Sequence, residues 1–142
     1  MDWSLEVVAV PVSDVDAARD FYARRLGFRV DHDTGGEGTG AVRSVRLTPP
    51  GSACAIVIGD GLSPLEPGAL SGLRLVVEDL RAARALLLEH GVPVSDFELA
   101  GPEGLRPARG DESHAELETV GFLHFADPDG NVWAVQQIST GS

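Results

Sequence analysis

Chemistry in this chain must come from a short set of side chains. His124 carries an imidazole that can act as acid or base near neutral pH. Arg46 and Arg74 can hold an anionic group through charge-assisted hydrogen bonds, and Gln136 adds an amide. His114, Glu116 and Glu118 have atoms that bind metals, but a His-x-Glu-x-Glu spacing alone is poor support for a metal. Asp127-Pro-Asp-Gly-Asn131 places two carboxylates together, yet it reads as turn chemistry with Gly130 at positive φ rather than as a catalytic pair. Each of these groups also has a plainer use. The histidine can hydrogen-bond a loop, the arginines can pair with acidic residues, and His114, Glu116 and Glu118 can solvate a surface loop. No nucleophile motif accompanies His124. The sequence shows no partner that orients its ring, with Glu116 and Glu118 the candidates for that role.

The elements that must position these groups come from a repeat. Val12-Ser-Asp-Val-Asp-Ala-Ala-Arg19 returns as Val77-Glu-Asp-Leu-Arg-Ala-Ala-Arg84, a shift of 65 residues. Each copy follows a short apolar run, read as a strand, and ends at Leu-Gly-Phe or His-Gly-Val. Ser13 is expected to cap the first helix, with Asp16 near its N-terminus. Val15, Ala18, Tyr22 and Leu26 form one helical face, and Gly27 is a left-handed stop. Strands are expected over 5–12, 28–33, 42–47 and 53–58, with a glycine-rich turn over 34–40 and a hairpin at Pro49-Pro50-Gly51. In the second half, a strand over 73–77 and a helix over 79–90 precede strands over 92–99, 119–125 and 132–138. Between Ala100 and about Glu116 lies a long polar insertion, of the kind that is functional or disordered in compact domains. Trp133, Val135 and Cys54 are expected on the helix side, Cys54 as a buried small hydrophobe.

Bulk properties exclude several functions. At 142 residues the chain fits one domain, with repeat one over about 4–59, a linker over about 60–71 and repeat two over about 72–139. No apolar run approaches the length needed to cross a bilayer. The N-terminus lacks a basic region, so no signal peptide is expected. One cysteine excludes an internal disulfide, which suits a reducing cytoplasm. A net charge of −11 argues against nucleic acid, which requires basic surface, and could favour a cationic ligand.

The order βαβββ twice, with Val12-Ser-Asp-Val-Asp16, Phe21-Tyr22, Leu26-Gly27-Phe28 and Phe125-Ala-Asp-Pro-Asp-Gly-Asn131, resembles the vicinal oxygen chelate superfamily. That group includes glyoxalase I, extradiol dioxygenases, and fosfomycin- and bleomycin-resistance proteins. The resemblance covers nearly the whole chain. It implies an α+β fold of two βαβββ repeats forming a cup-shaped mixed sheet, with helices on the convex face and ligand on the concave one. In metal-using members each first strand carries a ligand seven residues before the aspartate that starts the helix. Those places are Val7 and Gly72 here. A glutamate expected three residues after the Asn of the last turn is replaced by Ala134, and its equivalent in the first repeat is Ala55. None of the four side chains has a donor atom for a divalent ion. No metal and no other cofactor is therefore expected.

Strand alternation from those places sends Leu5, Ala9, Pro11, Ala53, Val57, Ser44 and Arg46 into the cup in the first half. In the second half it sends Arg74, Val76, Val132, Gln136, Phe122 and His124 inward. The expected ligand contacts are Arg46, Arg74, Phe122, His124, Gln136, Val7 and Ala55, with Trp3 at the rim or covering a dimer seam. An apolar lining with a few polar anchors is the general form of a small-molecule site. The resemblance to bleomycin-resistance proteins implies a homodimer that sequesters a drug-like or metabolite ligand without metal. A metal-free isomerase or lyase using His124 as general acid or base stays open beside it. So do a metal site built from His124, His114 and the insertion, and a structural module with a collapsed cup.

Overall fold

The chain folds as two α+β units, one per repeat, in a computed structural model that describes residues 1–36, 38, 40–101, 104–107 and 121–137. The first unit is Met1–Leu70 with Asp127–Asn131, and the second is Ser71–Ala126 with Val132–Ser142. Among the described residues, no helix is long and apolar enough to cross a membrane.

In the first unit, β1 (Val7–Ala9) leads to α1 (Val15–Asp20), which runs on through a π-helical turn at Phe21–Arg25. Strands β2 (Arg29–Gly36), β3 (Ala41–Thr48) and β4 (Ala55–Gly59) follow, and the sheet order is β1-β4-β3-β2 with β1 parallel to β4. Val45 and Leu47 of β3 and Ile56 and Ile58 of β4 are buried on one face, against which α1 packs. A six-residue helix is too short to persist alone. Burial of Val15, Ala18, Phe21 and Tyr22 holds it, at about 1.5–3 kcal/mol for each large side chain.

Several expectations shift at element ends. The helix cap is Asp14, whose Oδ1 accepts from Ala17 N at 3.1 Å, whereas Ser13 Oγ donates to Asp129 Oδ1 at 2.5 Å. The expected 5–12 strand is only β1, because Val10 to Val12 are drawn inward and Pro11 has no N–H for a ladder. Leu26 is only half-buried, since the Leu26 N–H reaches back to Phe21 O at 3.1 Å and the wider π turn rotates it off the helical face. Strand β2 continues into the expected glycine-rich turn through a bulge at Gly35. There φ is +82°, and a Cβ would sit 2.2 Å from the Val42 carbonyl oxygen.

In the second unit, β5 (Ser71–Val77) and α2 (Leu80–Glu89) precede β6 (Glu98–Gly101), β7 (Gly104–Pro107), β8 (Gly121–Ala126) and β9 (Val132–Gln137). The order is β5-β9-β8-β6-β7, with β5 parallel to β9. Relative to the first repeat this one gains β7, a strand made by the start of the expected insertion. The expected 92–99 strand is reduced to β6 and an isolated bridge between Val94 and Phe125. Asp79 caps α2 by accepting from Ala82 N at 3.1 Å. Leu80 N donates to the buried Gln137 Oε1 at 2.7 Å, which satisfies another amide at the helix start. Helix α2 packs on β8 and β9, burying Leu80, Leu87, Leu123, Phe125, Trp133 and Val135, with the Phe125 and Trp133 rings stacked at 6.1 Å. Trp133 and Val135 thus lie on the helix side as expected, whereas Cys54 is only half-buried and sits just ahead of β4.

The turn Asp127–Asn131 is a polar lock in the first unit. Asp127 Oδ2 accepts from the buried Tyr22 hydroxyl and from Asn131 Nδ2, each at 2.7 Å. Asp127 Oδ1 accepts from the Asp129 and Asn131 amides. Asn131 also donates to Pro11 O at 2.8 Å and accepts from Leu70 N at 3.1 Å. Gly130 has φ of +98°, the conformation the turn requires.

Candidate functional site

In the second unit, alternation carries a polar group onto the sheet face opposite α2. The ladder sets Arg74 beside Ala134 and Ala134 beside His124. The next row runs Val76, Gln136, Phe122 and Glu98. Arg74, Phe122, His124 and Gln136 are thereby brought to one face, in the register read from the sequence.

Their contacts define a small built surface. The Arg74 guanidinium lies 5.2 Å from the Phe122 ring centroid, and its Nη1 donates to Gln136 Oε1 at 3.2 Å. Phe122 is only 8% exposed, so it supports the guanidinium from beneath and presents little surface of its own. His124 Nδ1 lies 2.6 Å from Glu98 Oε1, with side-chain exposures of 30% and 23%. Ser95 braces the pair. Its Oγ accepts from His124 N at 2.9 Å and shares its single hydrogen between Asp96 O at 2.9 Å and Glu98 Oε1 at 3.3 Å, while Ser95 N donates to His124 O. Glu98 is therefore the group that orients His124. The sequence alone leaves that role open, with Glu116 and Glu118 as its candidates, and these lie outside the described residues, as does His114. Glu98 was legible only as one member of an expected strand. Its pairing with residue 124 depends on β6 lying beside β8.

A carboxylate oxygen only accepts, so the neutral imidazole keeps its proton on Nδ1 and carries its lone pair on Nε2. Among the described residues Nε2 has no hydrogen-bond partner. The arrangement can accept a hydrogen bond or a proton at Nε2, and can stack or ion-pair with a flat or anionic group at Arg74.

In the first unit, Val7 pairs with Ala55 across β1 and β4, and Arg46 lies between Val57 and His32 on the same face. Arg46 is engaged electrostatically, with Glu6 at 3.6 Å and Asp31 at 3.8 Å. The Asp31 carboxyl accepts from Thr48 and Arg29, and these bonds, the Thr48 one foremost, hold it below the usual carboxylate range. Arg46 thus already has acidic partners, the plainer use its sequence allowed. Trp3 is 88% exposed and precedes β1.

The metal centre implied by the resemblance does not fit these residues. Val7 and Ala55 face each other without a donor atom, Ala134 pairs with Arg74, a cation, and Gly72 falls in a bulge between the Ser71 and Leu73 pairings. Among the described residues, no group of three or more His, Cys, Asp or Glu could hold a metal ion.

Comparison with known proteins agrees with the architecture. A family model described as the Glyoxalase/Bleomycin resistance protein/Dioxygenase superfamily matches residues 4–135. The chain belongs to that superfamily. Within it, this glyoxalase-superfamily chain is similar to a solved antibiotic binding protein, TnmS3 from Streptomyces sp. CB03234, at 32% identity and a TM-score of 0.71, covering 97% of this chain and 98% of the other. A glyoxalase/bleomycin resistance protein from the same organism is 33% identical, with a TM-score of 0.67 over 94% of this chain and 100% of that one. A superfamily member from Sphaerobacter thermophilus DSM 20745 is 25% identical at a TM-score of 0.71, covering 96% and 98% of the two chains. Comparison with the curated proteins finds no match.

Proposed function

We propose that this chain is a metal-independent small-molecule-binding protein that sequesters a drug-like or metabolite ligand, working as a homodimer in the cytoplasm. The observation that carries this reading is the Arg74, Phe122, Gln136 and His124 surface, in which one flat cation is held in place over an aromatic ring beside an oriented imidazole. A guanidinium fixed on two sides loses little freedom on binding, which favours affinity. The similarity to an antibiotic binding protein supports the same reading. Donor-free side chains at all four inferred ligand places support metal independence. Exposed Trp3 and Leu5 ahead of β1, with Val7 at its start, are suited to contact with a second copy.

The test is calorimetric titration of chelator-treated protein with a panel of antibiotics spanning cationic, neutral and anionic aromatic classes. Saturable binding at one site per chain, weakened about 10- to 100-fold by Arg74→Ala, supports the reading. No binder in the panel, or a binder indifferent to Arg74, sinks it. Native mass spectrometry of the same sample should give twice the chain mass and no bound divalent ion.

A second reading has its own observation, the 2.6 Å contact between Glu98 and His124, which suits a metal-free isomerase or lyase with His124 as general acid or base. It predicts wash-in of deuterium beside a carbonyl in a bound ligand, abolished by His124→Gln and read by proton NMR.

A further inference from the structure

We infer that the second unit's site selects ligands presenting a weakly acidic O–H or N–H on a flat ring, and that Glu98 is the positioning residue that makes His124 the acceptor of that proton. The inference rests on the binding reading above and adds the class of group that the site recognises. Three observations carry it. Glu98 Oε1 occupies Nδ1 of His124 at 2.6 Å, which consigns the accepting lone pair to Nε2. Ser95 Oγ accepts from the His124 amide at 2.9 Å and lies 3.3 Å from Glu98 Oε1, and Ser95 N donates to His124 O, so one braced stretch of backbone carries both the histidine and its carboxylate neighbour. The Arg74 guanidinium, pinned over Phe122 two residues along β8 from His124, presents a planar positive group on the same face.

A ligand donor hydrogen-bonds to Nε2. If its proton moves, the O–H or N–H bond breaks and its electron pair stays on the ligand. The new N–H bond forms at Nε2, leaving an imidazolium beside the Glu98 carboxylate. The anionic ligand then shares its face with Arg74. Among the described residues, the charged groups on the strands packed around His124 are Glu98 on β6 and Arg74 on β5, and Ala134 on β9 contributes none. Glu98 lies 2.6 Å from Nδ1, so any charge that forms on the ring forms against that carboxylate. A ligand bearing only an ether at this point meets lone pair against lone pair and is rejected.

The test uses two coumarins that differ by one methyl group, 7-hydroxycoumarin and 7-methoxycoumarin, with the whole chain. The hydroxyl probe reports its ionisation through its excitation spectrum. The expected result is binding of 7-hydroxycoumarin at least about ten-fold tighter than the methyl ether, with an enhanced anion band in the complex. Glu98→Gln keeps the shape and an acceptor for Nδ1–H, so it should retain most of the affinity and lose the anion band. His124→Gln should lose the band and bind both coumarins within about a factor of two. Thermal melts check that both variants are folded, which partial exposure of the two side chains favours.

Equal binding of the two coumarins, or a wild-type complex with the neutral spectrum, overturns the inference and leaves the binding reading standing. Failure of the folded protein to bind 7-hydroxycoumarin also overturns it, since that probe belongs to the stated class. The antibiotic titration judges the binding reading separately. An anion band that persists undiminished in Glu98→Gln removes Glu98 from the role.

Discussion

Phe122 illustrates how a residue can serve a site it barely touches. Its ring lies under the Arg74 guanidinium at 5.2 Å, so Phe122→Leu should free that side chain and weaken ligand binding about three- to ten-fold, with little change in fold. Calorimetry on the variant checks this, and unchanged affinity would leave Phe122 a core residue only. Asp33 belongs to a different network. Its carboxyl accepts from Arg43 Nε at 3.1 Å and Nη2 at 2.9 Å, and that bonding holds it below its ordinary value of 3.8. The same contacts raise Arg43 above its usual range. A depressed carboxyl contributes stability above its unfolded value and loses it as pH falls through the folded one. Asp33→Asn should therefore melt about 1–3 °C lower than the parent at neutral pH, and the gap should close below pH 3.8. A gap independent of pH would assign the loss to packing instead. His124, Arg74 and Gln136 are legible in the sequence as residues of one face because strands alternate with period two. Glu98 is not, because a cross-strand neighbour depends on which strands pair, and no local pattern states that.

At the scale of elements, the last turn does more than reverse the chain. The sequence showed Asp127-Pro-Asp-Gly-Asn131 as a turn, and Gly130 at φ +98° fits that. It could not show that Asp127 receives a hydroxyl from Tyr22, 105 residues earlier, or that Asn131 bridges Pro11 and Leu70. These groups are buried, so each lost partner leaves a desolvated polar atom, at about 1–3 kcal/mol. Tyr22→Phe removes one donor to Asp127. Asn131→Ala removes bonds to Asp127, Pro11 and Leu70 together, so it should destabilise clearly more than Tyr22→Phe in urea melts. Equal effects would mean that water replaces the amide. Element boundaries erred for physical reasons of the same kind. Local propensity marked helix one and its glycine stop, but it does not record the π turn, which seats Tyr22 toward Asp127. Nor does a glycine-rich segment reveal that Gly35 continues β2 as a bulge.

At the scale of the molecule, the 65-residue repeat made both units legible, because each must bury one sheet face under its own helix. Net charge remained the least specific signal, yet it makes an opposite demand to the site. The chain carries −11, a field that acts over about a Debye length, roughly 10 Å at 0.1 M salt. Arg74 and His124 act at contact distance, where salt screens less. A cationic ligand is thus drawn by the molecule and gains nothing from Arg74, whereas an anionic or proton-donating one is held locally against the field. Raising sodium chloride from about 20 mM to about 300 mM should slow association of a cationic aromatic probe several-fold. Association of an anionic probe should quicken, with dissociation nearly constant, because the field governs encounter and the contacts govern residence. Stopped-flow fluorescence separates the two rates. If the anionic probe slows with salt as well, the local field of Arg74 outweighs the molecular charge even at a distance, and the acidic surface has no part in choosing the ligand.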